Sequence, residues 1–169
     1  MPDSTPAVLV LGLGNDILTD DAVGLHVVRT VREHLAREPD IEVKATTEMG
    51  LALLDEIAGR ESVVLVDAVQ TGQAAPGHVH ELGPDDLAKV LTTSPHFLGV
   101  GETITLGMML GLPMPQHVRI FAIEVKDPFT LGTQMTPAVE QAVGAAAARV
   151  VVRARELASA VGRAGAVAG

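Results

Sequence analysis

The chain has 169 residues, 47% of them hydrophobic, the size of one ordinary domain with enough apolar surface to bury a core. With 12 Lys plus Arg against 21 Asp plus Glu, a net charge of -9, no Trp, no Tyr and three Phe, it repels phosphate backbones and anionic membranes and offers bases little to stack on. Cysteine is absent, which excludes disulfides, a thiol nucleophile and thiolate metal sites and leaves Asp, Glu and His as candidate ligands.

The segment from Met1 to Pro6 carries Asp3 and no basic run, and the apolar stretch after it ends by Asn15. That is too short to span or export, so a cytoplasmic protein is the expectation. Ala7 to Leu13 is a nearly continuous apolar run punctuated by Gly12 and Gly14, the pattern of a strand covered on both faces. After a polar loop, Val23, Val27, Val31 and Leu35 recur every fourth position opposite Arg29, Arg32, Glu33 and Arg37, which predicts an amphipathic helix ending before Pro39. Ile41, Val43 and Ala45 alternate with polar neighbours as in an edge strand. A short helix through Leu51, Leu54 and Ile57 stops at Gly59, and Ser62 to Ala68 is a second buried strand that ends on Asp67.

Beyond Pro76 and Gly77, the segment from His78 to Leu82 reads as a short strand and Pro84 to Leu91 as a short helix with proline in its permissive first turn. Thr92 to Val100 reads as loop, Met108 to Leu112 as part of a further helix and Val118 to Lys126 as the last strand. Thr136 with Pro137 caps a long Ala-rich helix whose tail, 163–169, should fray. Alternating strands and helices predict a single α/β domain over 1–169, with three α/β/α layers and a mostly parallel, twisted sheet. If the strand order is 2-1-3, a crevice opens at the carboxyl ends of the first and third strands, where site residues belong.

Three carboxylates, Asp16, Asp20 and Asp21, fall in the loop after the first strand. Such an acidic loop is either a solvated surface or a cation site. It is not a dinucleotide fingerprint, because Ile17 occupies the third glycine position after Gly12 and Gly14. Asp67 leaves a buried strand, where a carboxylate needs a turn to cap, a partner or a metal. Among six histidines, His96 in the Ser94-Pro95-His96 segment and the pair His78 and His80 are the candidates. Imidazole with carboxylates favours a borderline metal such as zinc or nickel. No His-Glu-x-x-His or Gly-x-Ser-x-Gly pattern is present.

Gly12-Leu13-Gly14-Asn15 with Asp20-Asp21-Ala22-Val23-Gly24, then Val66-Asp67-Ala68 with Pro76-Gly77, then Ser94-Pro95-His96 resemble, in order and spacing, the signature blocks of the nickel-iron hydrogenase maturation endopeptidases. The resemblance continues through Met49-Gly50-Leu51, Leu53-Leu54 and the segment from Val118 to Glu124, covering the chain from Val8 to about Val151. It implies an aspartic-type endopeptidase, a monomer, that removes the C-terminal extension of a nickel-loaded nickel-iron hydrogenase large-subunit precursor. It also implies that Asp21, Asp67 and His96 converge on nickel carried by the substrate, that Asp21 and Asp67 are the catalytic candidates, and that the chain holds no tightly bound cofactor of its own. Ala22 stands where the family often has Gly, and Asp21 is one methylene shorter than the Glu of some members. A receiver-like phosphoacceptor domain, phosphorylated on Asp67 with Lys126 nearby, is the alternative reading.

Overall fold

The computed structural model describes residues 5–48, 50–83, 86 and 95–167, except the side chains of 95–99 and 165–167. Its sheet contains β1 (Val8–Leu13), β2 (Ile41–Thr46), β3 (Ser62–Val69), β4 (Val79–Leu82) and β5 (His117–Glu124), in the order β2-β1-β3-β5-β4. All pairs are parallel except β4 with β5. The helices are α1 (Val23–Leu35), α2 (Leu51–Ile57), α3 (Pro95–Met109) and α4 (Pro137–Val167). This is the expected α/β architecture, with the expected 2-1-3 order at its heart.

The period-two alternation of the central strands sorts the core into two layers. Val8, Val10, Val64, Val66, Phe121 and Ile123 pack under α1 and α4, beside Val27, Val31, Ala147 and Val150. Leu9, Leu11, Leu13, Val63, Leu65 and Ile120 pack under α2 and α3, beside Leu53, Ile57 and Val100. The apolar runs of β1 and β3 are continuous because both faces are covered. β2 has only β1 as a neighbour and shows the intermediate exposure of an edge strand. Burying one such Val or Leu contributes roughly 1.5–3 kcal/mol. Among the described residues no helix is long and apolar enough to cross a membrane.

Four element expectations need correction. β3 continues past Asp67 through Val69, because β5 goes on offering it a partner after β1 has ended. Helix α3 begins at Pro95, inside the segment read as loop, and ends at Met109. Its glycines hide it from propensity, yet at Gly107 a Cβ would lie 2.3 Å from Met114 Sδ and 2.8 Å from Leu54 Cδ1, so close packing requires the missing side chain. β5 stops at Glu124 rather than Lys126. Finally α4 runs to Val167, since Ala and Arg are strong helix formers and carry it through most of the tail read as frayed. The predicted helix over 84–91 lies outside the described residues apart from Asp86, which is helical.

Candidate active site

The loop leaving β1 returns as a 3₁₀ turn, Asp20–Ala22, that leads directly into α1. Glycines seat it. A Cβ on Gly24 would lie 2.3 Å from the Leu13 carbonyl oxygen and 2.5 Å from that of Val66, so the start of α1 rests directly on the carboxyl ends of β1 and β3. A Cβ on Gly14 would lie 2.3 Å from the Asp21 carbonyl oxygen. The turn therefore packs against β3 at the point where the chain of β1 turns away, the switch position of an open α/β sheet.

Asp20 and Asp21 are both buried, 0% and 5% exposed. Asp20 is a brace. Its Oδ2 accepts the backbone N–H groups of Lys126 at 3.0 Å and Asp127 at 2.9 Å. Its Oδ1 accepts the N–H of Thr136 at 2.7 Å, and the Thr136 hydroxyl donates to the same carboxylate. Thr136 begins α4 as expected, but its hydroxyl serves Asp20 while its carbonyl accepts from Val139 and Glu140. The brace ties the loop after β1 to the loop after β5, and a bridge between Leu18 and Leu131 with the Thr19 N–H donating to Thr130 extends the seam. Asp127, in that second loop, has its pKa lowered by hydrogen bonds from the Thr130 side chain and from the backbone of Thr130 and Phe129.

Asp67 is fully buried on β3. It alternates with Leu65 and Val69, so it belongs to the sheet face covered by α2 and α3. The β1 to β3 pairing ends at Gly12 with Val66, one residue earlier, while β3 continues opposite β5 with Asp67 beside Ala122. Its Oδ1 accepts the Ala68 N–H at 2.8 Å. The structure thus brings Asp67 and the turn bearing Asp21 to the same strand ends. Asp16, the third acid of the loop, is exposed and makes no part of the brace.

The backbone of His96 lies in the first turn of α3, the helix over the Asp67 face, and its side chain lies outside the described residues. Among the described residues no group of three or more His, Asp or Glu could hold a metal ion. The rival histidines sit elsewhere on the sheet. The His78 and His80 rings meet edge to face at 4.6 Å, and His80 Nε2 lies 3.3 Å from Glu124 Oε1. Sequence reasoning missed Glu124, which is 1% exposed and also accepts the Thr71 N–H and hydroxyl. The one signal was an acid inside the apolar run read as the last strand. Lys126, required by the phosphoacceptor reading, lies beyond β5 and is exposed.

A family profile described as hydrogenase maturation protease matches residues 25–153. The hydrogenase 2 maturation protease of Escherichia coli strain K12 is 26% identical over 151 residues, 88% of this chain and 91% of the relative. Among solved structures, the hydrogenase maturating endopeptidase HybD from E. coli superposes with a TM-score of 0.74 at 27% identity, covering 88% of this chain and 92% of that one. The [NiFe] hydrogenase maturation protease HybD from Thermococcus kodakarensis gives 0.69 at 25% identity, with 87% and 98% covered.

Proposed function

Because the chain belongs to the hydrogenase maturation protease family and is therefore a peptidase hydrolase, we propose that it removes the C-terminal extension of a nickel-iron hydrogenase large-subunit precursor after nickel has been inserted. The observation that carries this reading is the meeting, at one set of strand ends, of buried Asp67 with the glycine-seated turn that holds Asp21. The first turn of α3, with His96, belongs to the layer over the same face.

In this reading Asp21, Asp67 and His96 recognise nickel that belongs to the substrate. Carboxylates with an imidazole suit a borderline ion, and a set that leaves coordination positions open binds it usefully only when the substrate supplies the remaining ligands. Processing then reports that nickel is in place. Hydrolysis of the peptide bond also needs an acceptor for the proton of the attacking water, and the carboxylates of Asp21 and Asp67 are suited to that role. The test is to incubate the purified protein with precursor that is nickel-loaded or nickel-free and to follow the loss of a small C-terminal mass. Cleavage of the loaded form alone is expected, with weak binding of free nickel by the peptidase. Efficient cleavage of the nickel-free form, or tight stoichiometric nickel in the purified protein, would falsify the reading.

A further inference from the structure

A cleft of about 390 Å³ opens between α1 and the carboxyl end of β2, and its lining includes His26, Arg29, Arg32, Thr46 and Thr47. It adjoins the crevice: Leu25, also in its wall, lies 3.4 Å from where a Cβ of Gly14 would stand, and the Asp21 carbonyl presses on that same glycine. In a chain of net charge -9, two arginines in one cleft call for an account.

Elsewhere buried Arg60 and the more exposed Arg149, Arg153 and Arg155 each lie beside a carboxylate. Among the described residues Arg29 and Arg32, like exposed Arg37 and Arg163, have no such partner, but only Arg29 and Arg32 share one cleft beside the proposed site. Asp16 also lines the cleft and makes no ion pair with either. Arg32 is held in place by donating from Nε and Nη2 to the Val43 carbonyl at 3.3 and 3.2 Å, which leaves Nη1 for another acceptor. The Thr46 hydroxyl oxygen accepts from the Glu48 N–H, so its proton can be donated. Guanidinium forks with hydroxyl donors fit a planar carboxylate. The surrounding negative field does not prevent this, because screening beyond about 8 Å leaves the local cations to dominate at contact.

We propose that this cleft binds a carboxylate of the polypeptide that the neighbouring crevice cleaves, an inference that rests on the peptidase reading above. Two sources share that chemistry: the α-carboxylate at the end of the C-terminal extension, and an Asp or Glu side chain near the cleaved bond. The cleft then aligns the extension while the crevice addresses the bond. His26 supplies a local reporter. Burial and the Arg29 charge lower its pKa, Glu140 opposing, and a carboxylate arriving beside it would raise it again.

The probe is the peptide acetyl-Ala-Ala-Glu-Ala-Ala, compared with its C-terminal amide and with its Gln counterpart. His26 is titrated by NMR in the full-length protein with and without each peptide. The parent peptide is expected to bind saturably and raise the His26 pKa. Loss of this with the amide assigns the α-carboxylate, and loss with the Gln peptide assigns the side chain. Arg29→Gln alone, and with Arg32→Gln, should weaken binding about tenfold or more, and Arg29→Lys with Arg32→Lys should retain part of it. In precursor processing the loss should fall mainly on KM. No binding of any peptide by the wild type, or equal binding by a folded Arg29→Gln protein, overturns the cleft assignment. Processing of the precursor by wild type with KM unaltered in Arg29→Gln overturns it while leaving the peptidase reading intact, whereas no processing by the wild type refutes that reading separately.

Discussion

Asp20 and Asp21 are adjacent, of one residue type and both buried, yet they belong to different parts of the machine. Asp20 faces the loop after β5 and the start of α4, where backbone N–H groups and the Thr136 hydroxyl saturate its carboxylate. Asp21 lies in the turn seated on the carboxyl ends of β1 and β3, where β3 carries buried Asp67, and in the proposed function these two acids serve the substrate. The difference comes from what distant segments bring to each position. A buried carboxylate surrounded by donors from two distant segments is a structural joint, whereas strand ends at the switch point of an open α/β sheet are where such folds place their ligands.

The largest expected effect breaks the crevice and spares the joint. Asp21→Asn and Asp67→Asn should each lower processing by roughly a hundredfold or more, the scale of a lost proton acceptor, while removing one charge from a group of mutually repelling acids. Circular dichroism melts of both variants should fall at or above the wild-type temperature. A lower melting temperature for Asp67→Asn would make Asp67 a cap for the Ala68 N–H instead. Retained processing by Asp21→Asn would remove it from the site, and Asp20 could not replace it without giving up its brace.

The reverse experiment is Asp20→Ala. It leaves the N–H groups of Lys126, Asp127 and Thr136 without their acceptor in a buried place, which should cost about 3 kcal/mol or more in urea unfolding. Processing should fall as well, because the turn carrying Asp21 loses its anchor. Stability within about 0.5 kcal/mol of wild type would show that water replaces the carboxylate and that no joint exists. Next in size is Gly24→Ala, whose methyl group would meet the Leu13 and Val66 carbonyls. The start of α1 must lift, at a cost of about 1–3 kcal/mol, and the lift carries Asp21 away from β3.

Much of this arrangement was legible in the chain. Continuous apolar runs marked β1 and β3, a spacing of four marked α1, and the acids fell at the strand ends where an open α/β sheet places its site. Asp20 could not be told from Asp21, because its partners at 126, 127 and 136 are more than a hundred residues away. Only the end of helix α3, at Met108 and Met109, was legible, for a related reason: Gly101, Gly107, Thr103 and Thr105 lower helix propensity, while Gly107 is dictated by Met114 and Leu54 across a packed interface. Glu124 was absorbed into a strand because Thr71 and His80, which hold it, are remote in sequence.

The smallest effect separates stability from catalysis through two histidines. His26 has its pKa lowered by burial and by Arg29, so the unfolded chain, with an imidazole pKa of about 6.5, takes up a proton more readily than the folded one. Stability from this group is present above that value and is lost as pH falls from it through the lower pKa of the folded state. Melting temperature should therefore decline slightly from about pH 7.5 to about pH 5.5, and His26→Gln should reduce the decline. The same slope in His26→Gln would assign it to other groups. Processing, assayed well below the melting temperature, should fall over the same range for a different reason: the proposed ligand His96 must be neutral to bind nickel. A processing rate that stays flat on acidification would remove His96 from the rate-determining complex, whatever the melts show.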